Sequence, residues 1–208
     1  MKEYLKNNYQ KIFNIYVFLN FFGWAAYNTW NYWQKETLGY VEIGFIAQNV
    51  IVAFFLLIRK DFKTIDKNYF SQFIALAAFF SGAAFMGQES TGGETENLVA
   101  NIVTFCANIL GFITVLNIGK SFGIMIAYRE VKSKGLYRIV RHPMYFTDIL
   151  IRVGFLINHF NLLVIIVFII STGLYVYRAI LEERHLSLQP EYQEYMKKVK
   201  YRLIPFVF

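Results

Sequence analysis

The chain has 208 residues, of which 56% are hydrophobic and 17% charged, where a soluble domain carries about 25% charged residues. With a mean hydropathy of +0.37, this excludes an ordinary soluble domain and a disordered tail, and it points to a membrane protein. The net charge of +7 raises nucleic acid as a partner, but the Lys and Arg residues stand at the ends of long apolar runs, the pattern that orients membrane helices, so nucleic-acid binding is set aside.

Residues 1–11 are polar, with three lysines. Residues 12–33 are long and apolar enough to cross a bilayer, with Trp30 and Trp33 placed for an interfacial belt. A short turn over 34–40 leads to a second span, 41–58, and then to a basic loop holding Arg59, Lys60, Lys63 and Lys67. The third span, 69–86, is rich in small residues (Ala77, Ala78, Gly82, Ala83) that let helices approach closely. A loop over 88–97 without Lys or Arg precedes the fourth span, 98–118. Cys106 lies within that run and reads as a packing residue.

Residues 119–143 carry six cations and little periodicity. A short fifth span, 144–158, and a sixth, 162–181, form a hairpin, and 182–200 reads as an amphipathic helix interrupted at Pro190. The apolar tail is placed to cap a site. With both termini inside, 19 of the 21 Lys and Arg residues fall on the cytoplasmic side, Lys35 falls outside and Arg152 lies within a span. The expected fold is all-α and integral to the membrane, with about six transmembrane helices and cytoplasmic N and C termini. It forms one structural domain with two regions: a four-helix part, 1–118, and a C-terminal part, 119–208, that builds the site.

Three groups of residues carry chemistry. The first is Gly135–Tyr145 (GLYRIVRHPMY). Pro143 suits the first turn of a helix, and a helix start gathers N–H groups that favour anionic ligand groups. A basic interface loop is the alternative reading. The second is Arg178 with Glu182 and Glu183. Arg178 and Glu182 are i,i+4 neighbours, so they form part of a site or an interfacial salt bridge. The third is Asp148 and Arg152, an i,i+4 pair inside a span, where charges are costly and face a cavity or each other. They read as a substrate-facing patch or as a structural pair. No Cys/His/carboxylate spacing suggests a metal site.

The run GLYRIVRHPMY, followed by R-x3-EE-x2-L (Arg178 to Leu186), EYQEY (Glu191–Tyr195) and a terminal IPF (Ile204–Phe206), resembles the isoprenylcysteine carboxyl methyltransferase family, which groups with the phospholipid methyltransferases. The resemblance covers residues 117–208. It implies an integral-membrane methyltransferase that uses S-adenosylmethionine, with Tyr137, His142, Pro143, Met144, Tyr145 and Glu182 in the cofactor pocket. Arg129 and Val131 would belong to a preceding segment that contacts the cofactor, and Arg178 would act in substrate binding or catalysis. Thr147–Arg152 follows RHPxY where relatives often have small or aromatic residues, and LQPEY replaces an FGEEY-like form, so the substrate stays open.

The expected activity is therefore carboxyl O-methylation of an isoprenylcysteine-like or other lipophilic carboxylate, with Asp148, Arg152 and Arg178 toward the substrate. N-methylation of a phospholipid amine is the alternative, with Glu183 as the base. A membrane reductase using NADPH and a non-enzymatic transporter are the readings from other classes. The expected partners are membrane lipids and a lipophilic or lipidated substrate. The expected location is a cytoplasmic (inner) membrane, with the active site on the cytoplasmic side.

Overall fold

The computed structural model describes residues 2–34, 40–85 and 93–207. Six long helices occupy the six apolar runs: α1 (Lys2–Gln34), α2 (Tyr40–Ile58), α3 (Tyr69–Phe80), α4 (Glu94–Ile118), α5 (Pro143–Asn158) and α6 (Leu162–Leu186). A shorter α7 (Pro190–Lys198) follows. Two two-residue strands, β1 (Thr64–Ile65) and β2 (Ala127–Tyr128), pair antiparallel, a feature that the sequence pattern did not suggest. Positions 35–39 and 86–92, where the first turn and the first half of the loop without Lys or Arg were expected, lie outside the described residues.

Local chemistry sets the helix boundaries. The Asn68 side chain caps α3 by accepting from the amides of Phe70 and Ser71, and Asn161 caps α6 by accepting from Val164. Pro143 and Pro190 open α5 and α7, where a missing N–H leaves no helix bond unmade. The polar N-terminal residues join α1 from Lys2 onward instead of preceding it. Helix α6 runs past its expected end to Leu186, so Arg178, Glu182 and Glu183 share one continuous helix.

Among the described residues, two helical stretches are long and apolar enough to cross a membrane, Asn97–Ser121 and Leu162–Leu186. The 16 residues of α5 rise about 24 Å, against a hydrocarbon core of about 30 Å. Helix α5 packs so closely on α4 that a Cβ at Gly154 would lie 2.2 Å from Thr104 Oγ1 and 3.1 Å from the carbonyl of Ala100. In α3, Ala75 and Ala78 are fully buried, whereas Ala83, in the short turn of helix after it, is exposed. Cys106 is also exposed, on the outer face of α4, and is not the packing residue it was expected to be.

The basic loops gather at one end of the bundle. The Lys60 amide donates to the carbonyl of Lys120 (2.8 Å), and the Lys63 amide to that of Tyr128 (2.8 Å). The buried amide of Gln72 donates to the Ile126 carbonyl (3.0 Å) and accepts from the Ile126 N–H (3.0 Å). These bonds satisfy a buried irregular backbone that would otherwise be destabilising. A hydrophobic cluster centred on Leu56, Val115, Phe122 and Ile124 fills the space beneath it.

Gly135 makes the turn into the RHPxY stretch at a φ of +58°, and a Cβ there would lie 2.1 Å from Asn117 Oδ1. Asn117 is itself tethered, because its Nδ2 donates to the Ile113 carbonyl at 2.6 Å. Gly135→Ala is expected to cost about 2 kcal/mol of stability from the left-handed backbone and the clash together. A thermal melt in detergent with an unchanged midpoint would refute this account.

Candidate active site

Three pieces of chain meet at the basic end: the run 121–132, the turn and helix start at 137–145, and the end of α6 with α7. They enclose a cavity of about 930 Å³, its open mouth included.

The start of α5 is held from behind by a four-part staple. Glu183 is 4% exposed, and its carboxylate accepts from Arg141 Nε (2.7 Å) and Nη2 (3.2 Å) and from Arg202 Nε (2.9 Å). His142 Nε2 pairs with the same carboxylate at 3.1 Å. Arg141 Nη1 also donates to the carbonyls of Val199 and Lys200, at 2.8 and 2.7 Å. The amides of Arg141 and His142 donate to the carbonyls of Tyr201 and Arg202, both at 2.9 Å. The Arg-His pair and the tail thus form one hydrogen-bonded unit. Leu203 from the tail packs with Tyr145 and Tyr175, while Phe206 and Val207 stay exposed, and no described residue of the tail lines the cavity.

Consecutive residues on a helix point about 100° apart, so Glu182 and Glu183 face different places. Glu182 lines the cavity with its side chain 24% exposed, and it accepts a hydrogen bond from the Tyr145 hydroxyl. The Tyr145 ring stacks on the His142 imidazole, with centroids 5.1 Å apart and planes 9° apart. Tyr128, Tyr137, Tyr192 and Tyr195 also line the cavity. The Tyr195 hydroxyl donates to the Tyr137 carbonyl at 2.7 Å, and the Tyr128 hydroxyl donates to Glu191 at 2.5 Å. Burial and that carboxylate push Tyr128 up to about 12, so it remains a donor at neutral pH.

The deep end is built by Asp148, Tyr175 and Arg178. Tyr175 donates to Asp148 at 2.8 Å. Arg178 is 3% exposed and donates to the carbonyls of Ala75 (3.0 Å) and Ile124 (2.7 Å), while its guanidinium carbon sits 5.0 Å above the Tyr145 ring. It ties α6 to α3 and to the run that walls the cavity. Arg152 lies one turn further along α5, 4.5 Å from the Tyr175 ring centroid.

Of the residues expected from sequence, Arg129, Val131, Tyr137, His142, Met144, Tyr145, Asp148, Arg178 and Glu182 line this one cavity. Pro143, Arg152 and Glu183 do not. Pro143 is fully buried as the helix opener, Arg152 is covered by aromatic rings, and Glu183 faces the staple. The i,i+4 relation of Arg178 and Glu182 produces no salt bridge, because Arg178 turns to backbone carbonyls instead. Arg141, singled out with the RHPxY stretch, lines the cavity as well, and the sequence reading missed Gly123, Tyr128, Tyr192 and Tyr195 as lining residues. The last two had a signal, the i,i+3 tyrosines of EYQEY on one face of α7. Gly123 and Tyr128 had none, because they belong to a run with neither helical nor strand periodicity.

Residues 98–192 match the phospholipid methyltransferase family, which belongs with the isoprenylcysteine carboxyl methyltransferases among the membrane methyltransferases. No curated protein matches the chain.

Proposed function

We propose, from the match of residues 98–192 to a membrane methyltransferase family, that this chain methylates a lipophilic substrate with S-adenosylmethionine bound in the cavity at the basic end of the bundle. The observation that carries the cofactor assignment is Glu182, a partly exposed carboxylate set among tyrosine faces. A cofactor with an ammonium, ribose hydroxyls and a sulfonium needs such acceptors and such rings. Buried polar atoms of lining residues also lack partners within the protein, namely Ser121 Oγ, Arg178 Nε and Tyr192 Oη. Buried groups of this kind ordinarily have a partner, and a polar ligand would supply one.

When bound, the cofactor supplies a methyl group on a positively charged sulfur. The chain's part is placement. Glu182 and the tyrosines hold the polar end near water, and Asp148, Tyr175 and Arg178 meet the acceptor from the membrane side. Arg129 completes the wall by donating through Nε to the Lys60 carbonyl at 3.0 Å. Burial lowers its pKa, and Glu182 and Asp61 partly restore it.

A carboxylate acceptor fits this arrangement. It attacks as an anion and needs no base, and the one glutamate expected to act as a base, Glu183, has both oxygens engaged by cations. In this reading Glu183 is a positioning residue. Asp148 in the cavity favours a second reading, N-methylation of a lipid amine, since it is a lining carboxylate that no cation of the staple engages. Products separate the two: a methyl ester is cleaved by mild base and a methylamine is not. The six-span topology with both termini inside is part of the same proposal, supported by the basic loops meeting at the end that holds the cavity.

Calorimetry on purified protein in detergent tests the cofactor. Wild type should bind S-adenosylmethionine saturably, and Glu182→Ala should weaken binding roughly 10- to 100-fold, the worth of charge-assisted hydrogen bonds. The thermal midpoint should fall by only a few degrees, because the buried Tyr145 hydroxyl loses its acceptor. Folded wild-type protein that fails to bind would overturn the assignment.

A further inference from the structure

A second cleft lies beside the first, between α1 and the end of α2. Lys11, Asn14, Ile15, Leu57, Arg59 and Asp61 line it. Arg59 is its unusual member. It is 7% exposed, its Nε donates to Asn14 Oδ1 at 2.6 Å, and its guanidinium carbon lies 5.6 Å from the Phe13 ring centroid. Nη1 has no hydrogen-bond partner, and among the described residues no carboxylate lies within ion-pair distance of Arg59. A buried guanidinium without an anion is costly. Burial and the neighbouring Arg129 lower its pKa to about 10, with Asp61 opposing. The site is therefore short of negative charge.

We infer that this cleft binds the phosphate of an anionic membrane lipid, with Arg59 and Lys11 as its cationic partners. The surroundings select a lipid over a free ion. Ile15, one turn along α1 from Lys11, is 49% exposed, and Leu57, just before Arg59 on α2, is 39% exposed. Lys11 on α1 and Arg59 just past the end of α2, with bare apolar side chains further along both helices, match a headgroup and its acyl chains. The cleft is separate from the methyl-transfer cavity: the Lys60 peptide lies between them, its carbonyl accepting from Arg129. The inference does not depend on the proposed reaction.

The test is lipid binding by the full chain in neutral detergent, followed by native mass spectrometry and thermal shift during titration with phosphatidylglycerol, phosphatidylcholine or inorganic phosphate. Phosphatidylglycerol should bind saturably and raise the midpoint, with the other two at least about tenfold weaker. Arg59→Gln should weaken phosphatidylglycerol about tenfold, the loss of one charge-assisted hydrogen bond. Lys11→Gln, at an exposed position where folding is not at stake, should weaken it severalfold. Inorganic phosphate binding as tightly as the lipid would overturn the lipid assignment. Unchanged phosphatidylglycerol affinity in Lys11→Gln and in folded Arg59→Gln would overturn the site.

Discussion

Glu183→Ala is expected to lower stability by about 3–5 kcal/mol, because it leaves Arg141, His142 and Arg202 facing one another without their shared carboxylate. At this chain length that corresponds to a fall in thermal midpoint of roughly 10 °C or more. Cofactor affinity should fall with it, since the staple fixes the start of α5, and His142 and Tyr145 stand there with their rings stacked. Glu183→Gln keeps the shape and one acceptor but loses the charge, so it should fall between wild type and Glu183→Ala in both measurements. A catalytic base behaves differently. Turnover lost in Glu183→Gln with an unshifted midpoint and normal cofactor affinity would make Glu183 a proton acceptor and defeat the positioning role.

The contrast between adjacent glutamates shows what a sequence can and cannot carry. That Glu182 and Glu183 sit near the RHPxY stretch is legible, because hydropathy places both at the same end of neighbouring helices. Which of them faces the cavity depends on where α6 stops and on where the tail returns, and both are long-range facts. The partners of Arg141 are hidden from the sequence for the same reason: they are Glu183, 42 positions away, and carbonyls 58 and 59 positions away. The helices themselves were readable, since long apolar runs and capping residues are local signals. Their ends were less so, as the extension of α6 to Leu186 and the early start of α1 show. The run 121–132 was the least legible. Its shape is held by Gln72 and Arg178 from other parts of the chain and by its own Arg129 reaching the Lys60 carbonyl, not by any period of its own.

Arg178 should prove the residue least tolerant of change. Its Nη1 and Nη2 reach carbonyls on two different segments, at Ala75 and Ile124, from a site that is 3% exposed. Arg178→Ala strands both acceptors and removes the cation above Tyr145, so a loss of several kcal/mol is expected, at about 1–3 kcal/mol per buried group left unpaired. Arg178→Lys is the more informative variant. A single ammonium lacks the planar fork needed to span both carbonyls, so the charge survives while the geometry does not. The wall formed by Gly123 and Ile124 then relaxes relative to α6, and a displacement of about 1 Å is enough to slow an aligned transfer roughly 100-fold. Arg178→Lys should therefore retain much of its cofactor affinity, which depends on Glu182 and the tyrosines, while losing most of its kcat. If Arg178 instead acts mainly by gripping a substrate carboxylate, the lysine variant keeps its kcat and shows a raised KM. Methyl transfer measured against substrate concentration, with the thermal midpoint beside it, separates these two behaviours. A lysine variant with wild-type kcat and KM would show that the two carbonyl bonds are dispensable to the reaction.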